Sequence, residues 1–194
     1  MNELNEASEL RPPTVIVLAS GRGERFNAAG GVGHKLQAPL GSATVLAHTL
    51  ASVRASGLPW HVEDAGHPGM GDSIAAAVRA TPDAGGWLIL PADLPVVQPA
   101  TLLAVARALV EPMRAAQPHY DGQRGHPVGF AASCGAQLAA LSGNVGAAAV
   151  LRALREMRQV AEIEVDDIGI VTDIDTPEQL AHAESLLLER LSRE

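Results

Sequence analysis

The chain has 194 residues, 47% of them hydrophobic but only 3% aromatic, and carries a formal charge of −8. That length suits one domain, with a core built from Ala, Val, Leu and Ile. The acidic balance and the scarcity of rings argue against a duplex-binding face and against a stacking platform for single strands, so no nucleic-acid partner is expected.

Residues 1–12 are polar and acidic, end at Pro12-Pro13, and read as a disordered leader, which leaves 13–194 as a single domain. Thr14 to Ala19 (TVIVLA) is a continuous β-branched run, the pattern of a strand buried on both faces. Val45, Leu46, Leu50 and Val53 recur at helical spacing within a helix over 44–56, closed by Gly57 and Pro59. Residues 60–62 form a short candidate strand, and Asp72 or Ser73 caps a helix running to Ala80. Trp87 to Leu90 is the second buried strand, followed by a helix from Pro99 to Leu109. Residues 114–120 and 126–132 read as two strands joined around Asp121-Gly122. Helices over 133–141 and 146–157, a half-wet strand over 160–165 and a strand over 168–174 follow. Thr176 then caps a final helix with Pro177 in its first turn. Alternating strands and helices imply a three-layer α/β fold, a mainly parallel sheet with helices on both faces. Ligands bind such sheets beyond the carboxyl ends of the strands.

Three stretches at those ends carry chemistry. In LASGRGER, Leu18 to Arg25, Gly21 and Gly23 let backbone N–H groups approach an anion, and Arg22, Arg25 and Lys35 add positive charge. The alternative is an ordinary strand-to-helix turn with surface arginines. A dinucleotide fingerprint needs Gly at position 26, where Phe26 stands. A P-loop needs Ser or Thr after its lysine, but Leu36 follows Lys35. In WLILPADLP, Asp93 falls between two prolines just past a buried strand, placed either to hold Mg²⁺ or to close a turn. In TDIDTPEQL, Asp173 and Asp175 lie two apart, so both would face one way if on a strand; a capping role is the alternative for either. Two carboxylates around one Mg²⁺ suit phosphoryl transfer.

These stretches, in this order, resemble the MobA-like NTP transferases, and within them the cytidylyltransferases of the molybdenum cofactor. LASGRGERF with its later lysine is similar to LAAGxGxRxGxxK, PADLP to a metal-binding DxP, and DIDTPEQL to DxDTPED. GMGDS (69–73) resembles a GMGxS turn near the base, and GHPV (125–128) a cytidylyltransferase segment. The resemblance implies a Rossmann-like nucleotidyltransferase that uses Mg²⁺ to transfer CMP from CTP to the phosphate of molybdopterin. It places Ala19, Ser20, Gly21 and Gly23 along the nucleotide, and Arg22, Arg25 and Lys35 on the triphosphate, with Lys35 bracing the transition state. It places Asp93 and Asp175 on the metal, Gly71 and Ser73 near the base, and Gly125, His126 and Pro127 against the acceptor. A molybdoenzyme or its chaperone is the implied macromolecular partner.

The chain departs from the family pattern at four points. Ten residues separate Arg25 from Lys35, about twice the family spacing. Residues 57–68 are too short for a further strand–helix–strand unit, so the sheet is expected to be one βα unit short. Asn144 and Ala148 stand where the family has Asp and Arg. Ser20 replaces Ala or Gly, which leaves GTP open beside CTP. Two other readings therefore stand: transfer to another phosphorylated small molecule, such as a sugar or polyol phosphate, and a non-catalytic nucleotide-binding relative.

The remaining signals are bland. The seven histidines lack zinc-site spacing, Cys134 reads as a core residue, and Trp60 and Trp87 read as packing residues. A single cysteine suits a reducing, cytoplasmic setting, and no apolar run approaches the ~20 residues that span a bilayer, so no membrane partner is expected.

Overall fold

Apolar residues alternate in facing along two central strands, and that alternation builds the three layers. The structure, a computed structural model, describes residues 11–21 and 23–192. Residues 1–10 of the expected leader and Arg22 of the first loop lie outside them. Strand β1 (Thr14–Leu18) pairs in parallel with β4 (Trp60–Glu63) on one side and β5 (Gly86–Pro91) on the other. Val15 and Val17 of β1, with Leu88 and Leu90 of β5, face helices α2 (Val45–Ala55), α4 (Pro99–Arg107) and α7 (Pro177–Leu191). Ile16, Trp87 and Ile89 face the opposite way, against α3 (Met70–Ala80), α5 (Gly135–Ala139) and α6 (Ala148–Glu156). The Cys134 side chain is fully buried in this second layer, whereas Trp60 is 43% exposed and lies under the Arg54 guanidinium.

The sheet is more mixed than the alternation of elements suggests. Beyond β5, strand β8 (Val128–Ala131) runs antiparallel to it, and β6 (Ala115–Tyr120) runs antiparallel to β8. Strand β9 (Val160–Glu164) then pairs in parallel with the far side of β6. The short strand β7 (Gln123–Arg124) continues the β8 side, pairing with the end of β6 through a two-residue turn at Asp121-Gly122. Both turn residues have positive φ, 48° and 74°, as a tight hairpin requires. A separate pair, β2 (Pro39–Leu40) and β3 (Ala43–Thr44), precedes α2, where the Thr44 hydroxyl accepts from Ala47 N–H. Strand β4 connects to α3 directly through residues 64–69.

One expected strand is absent. Residues 168–171 form a 3₁₀ turn, and 172–176 are irregular. Gly169 packs so tightly on Val96 that an added Cβ would lie 2.2 Å from the Val96 carbonyl oxygen. The Asp167 carboxylate accepts from Gly169 N–H at 3.0 Å, and Thr172 Oγ1 donates to the Ile168 carbonyl at 2.9 Å. These local bonds occupy backbone groups that a strand would offer to a neighbour. Helix α3 also starts earlier than its polar residues suggest. Gly69 takes the N-cap position, and the Asp72 side chain instead accepts from Gly143 N–H across the gap to the 142–146 loop.

Candidate active site

The carboxyl ends of β1 and β5 open into a cleft of about 800 Å³, where a parallel α/β sheet binds ligands. Ser20, Gly21 and Gly23 line it directly after β1. Ala19 does not line it; its N–H donates to the Glu63 carbonyl of β4 at 2.9 Å. Arg25 lies in the five-residue helix α1 (Glu24–Ala28), which the sequence did not suggest, and reaches back over the cleft. Asp93 follows β5 in a segment held to β1 by Ala92 N–H donating to the Leu18 carbonyl at 3.1 Å. Ile174 N–H donates to the Asp93 carbonyl at 3.0 Å, which draws the 172–175 segment alongside. Asp173 and Asp175 thus reach the cleft from irregular chain rather than from a strand end.

Lys35 sits at the centre. Its Nζ donates to Asp93 Oδ2 at 2.5 Å and to Asp175 Oδ1 at 2.8 Å, and all three side chains are at most 15% exposed. The Arg25 guanidinium pairs with the other oxygen of Asp175. Burial alone would lower the Lys35 pKa; the charges and hydrogen bonds of Asp93 and Asp175 outweigh it and hold the pKa above its ordinary value. Asp173 lines the same cleft, and burial, with the charges of Asp93 and Asp175, pushes its pKa up.

Lys35 reaches the carboxylates despite the long loop because the loop is tied down twice. Gly31 N–H donates to the Phe26 carbonyl at 2.9 Å, and Phe26 is buried. His34 then bridges two segments: Leu36 N–H donates to Nδ1 at 3.3 Å, and Nε2 lies 2.8 Å from the Gly21 carbonyl. A backbone N–H can only donate, so Nδ1 accepts and Nε2 carries the proton it gives to Gly21. Sequence spacing only set the histidines aside as zinc ligands; the place of His34 between Gly33 and the cleft lysine is the one sequence signal of this role.

At the base end expected from the resemblance, Ser20 Oγ and Ser73 Oγ lie 3.0 Å apart and both residues line the cleft. Gly71 is buried away from the cleft lining, and its N–H donates to the Gly143 carbonyl at 2.7 Å, bracing α3. His67 also lines the cleft, with Nε2 held 3.2 Å from the buried Glu63 carboxylate. On the opposite side, Gly125 and His126 line the cleft while Pro127 does not. His126 N–H donates to the Ile170 carbonyl at 3.0 Å. Burial pushes the His126 pKa down, against the opposing charges of Asp93 and Asp173.

Among the described residues no group of three or more His, Cys, Asp or Glu side chains is arranged to hold a metal ion. Asp93 Oδ1, however, is buried with no hydrogen-bond partner, and Asp175 shares the Lys35 contact with it. A pair of carboxylates with one free oxygen fits Mg²⁺, which keeps several waters and takes most other ligands from substrate phosphates.

Residues 51–163 match the sequence model of the MobA-like NTP transferase domain, more than half of the chain. The chain belongs to this family. The matched stretch contains Asp93 and the 125–127 segment; the first loop and Asp175 join them through the fold. Similar folds occur in Rv0371c of Mycobacterium tuberculosis H37Rv, 24% identical over 90% of this chain and 98% of that one, with a TM-score of 0.71. The same mycobacterial protein in complex with manganese gives 23% identity over 90% and 98%, with a TM-score of 0.66. A nucleotidyl transferase from Methanothermobacter is 20% identical over 92% and 99%, with a TM-score of 0.73. Molybdopterin-guanine dinucleotide biosynthesis protein A from Archaeoglobus fulgidus is 19% identical over 91% and 99%, with a TM-score of 0.59. At these identities the likeness establishes the fold alone. No curated protein sequence matches the chain. No helix among the described residues is long and apolar enough to cross a membrane.

Proposed function

We propose that the MobA-like cleft transfers a nucleoside monophosphate from an NTP to the phosphate of a small-molecule acceptor. An acceptor phosphate oxygen forms a bond to the α-phosphorus, the α–β phosphoanhydride bond breaks, and its electron pair leaves with pyrophosphate. The observation that carries this reading is the buried Lys35 ammonium held between Asp93 and Asp175 beyond the strand ends. A lysine in that place binds triphosphate oxygens and balances charge that develops on the leaving pyrophosphate. Arg25 reaches the same point from the other side of Asp175, and Gly21 and Gly23 line the cleft where backbone N–H groups would meet the phosphates. Arg22 belongs to this set through the resemblance. Ser20 and Ser73 lie toward the base, and Gly71 supports them by fixing α3. Gly125 and His126 face the acceptor, while Pro127 is buried off the cleft lining. No protein nucleophile is needed, so the residues act by positioning and electrostatics.

Asp93 and Asp175 are the residues that would hold Mg²⁺, and the manganese complex of a protein with the same fold supports a divalent cation. Such an ion supplies charge neutralisation on the phosphates.

CTP and molybdopterin are the first donor and acceptor to test. A guanylyl donor or another phosphorylated acceptor is the second reading. It is favoured by the Archaeoglobus protein of similar fold, which is named for molybdopterin-guanine dinucleotide. Pyrophosphate release is the test, measured with CTP, GTP, ATP and UTP against molybdopterin and a panel of sugar and polyol phosphates. Release is expected with one NTP and a phosphorylated acceptor, falling at least about a hundredfold in Lys35→Ala. Release unchanged in Lys35→Ala, or none with any pair, would contradict the proposal.

A further inference from the structure

The cations of the cleft are unevenly engaged. Among the described lining residues, Lys35 and Arg25 are both tied to the Asp93–Asp175 pair. Arg124 of β7 lines the cleft next to Gly125 and His126. The sheet order places it across β5 from the first loop. Its own partner is Glu162 of β9, reached by Nε at 3.4 Å and by the terminal nitrogen at 3.4 Å. Those contacts are long, and the two side chains are 56% and 34% exposed, so the pair adds little to stability.

Glu162 does not depend on Arg124. Arg155 of α6 donates its Nε to Glu162 Oε1 at 3.1 Å and a terminal N–H to Gln117 Oε1 at 2.6 Å. Gln117 in turn donates to the Gly125 carbonyl at 3.4 Å. Arg155 is therefore fixed and continues to neutralise Glu162 if Arg124 turns away. An acceptor phosphate entering from this side must approach Asp93, Asp173 and Asp175, all carboxylates. Burial pushes the His126 pKa down, and Arg124 is the other basic side chain that lines the cleft on this side among the described residues. A guanidinium also matches a phosphate with two parallel hydrogen bonds.

We propose that Arg124 is the anion-binding group of the acceptor subsite, exchanging Glu162 for the acceptor's phosphate monoester. This rests on the nucleotidyl-transfer reading above, but it can be tested apart from turnover. Nε–Hε spectra of protein labelled in arginine, titrated with inorganic phosphate, give the direct readout, with the Arg124 resonance assigned by its loss in Arg124→Ala. The Arg124 resonance is expected to shift saturably with phosphate and not with chloride at matched ionic strength, while that of Arg155 stays in place. In the pyrophosphate assay, Arg124→Ala should raise KM for the phosphorylated acceptor at least about tenfold and change KM for the NTP by less than about twofold. Arg124→Lys should recover part of the loss and Arg124→Glu none. An Arg124 resonance indifferent to phosphate, or an acceptor KM unchanged in Arg124→Ala, would overturn the inference. A saturable shift without turnover of any acceptor would sustain the anion subsite and sink the transferase reading instead.

Discussion

Lys35 meets Asp93 and Asp175 although ten residues separate it from Arg25, and a single histidine explains much of how. His34 accepts from Leu36 and donates to Gly21, so it joins the segment that carries the lysine to the Gly21 backbone lining the cleft. Its neighbours Gly33 and Val32 are exposed, which means that little else fixes the loop at this end. Removing the ring in His34→Ala should therefore cost turnover rather than stability. Steady-state pyrophosphate release is expected to fall about tenfold, ~1.4 kcal/mol of transition-state stabilisation. The thermal midpoint should move by less than about 2 °C, as for an exposed site. A midpoint that drops while the rate holds would assign His34 to loop stability alone.

At the scale of elements, the segment after β9 is held by a buried carboxylate. Asp167, 3% exposed, accepts from Gln98 N–H at 2.9 Å, Thr101 Oγ1 at 2.7 Å and Gly169 N–H at 3.0 Å, and pairs with Arg190 at 3.3 Å. It thereby fastens the start of α4 and the end of α7 to the turn that leads to Asp173 and Asp175. Asp167→Ala strands these donors, and a loss of about 3–5 kcal/mol is expected, or roughly a 10 °C fall in the thermal midpoint. A fall of under about 2 °C would show that the clamp is dispensable. This segment is also where the sequence was least legible. Residues 168–174 are apolar enough to read as a strand, because their hydrophobic pattern reports burial and not hydrogen-bond partners. The bonds that decide against a strand come from Asp167, and the close packing comes from Val96, distant in sequence. Strands β1 and β5 were legible for the opposite reason: each is buried on both faces, so composition alone marks it. The cap at Thr176 was legible too, since its side chain accepts from an N–H three residues on; Thr44, read as part of the helix over 44–56, is the N-cap of α2 instead. The antiparallel insertion of β8 beside β5 was not, because strand direction depends on topology beyond the hairpin that signalled it.

Over the whole molecule, an acidic chain gathers several of its cations at one edge of the sheet. The net charge is −8, yet Lys35, Arg25 and Arg124 all face the same cleft. The three motifs read from the sequence lie as far apart as residues 18 and 175, and they converge there because β1 and β5 are neighbours and Ile174 bonds to the Asp93 carbonyl. We propose that this convergence forms a site for a nucleoside triphosphate with a divalent cation. Its most direct measurement is the thermal midpoint of wild type and Asp93→Ala with CTP or GTP, each with and without Mg²⁺. In wild type, nucleotide with Mg²⁺ at about a hundred times its dissociation constant should add ~2.7 kcal/mol, roughly 5–10 °C. Asp93→Ala should lose the part that depends on Mg²⁺. A wild-type midpoint that no NTP raises, or a variant that gains as much from Mg²⁺ as wild type, would contradict such a site.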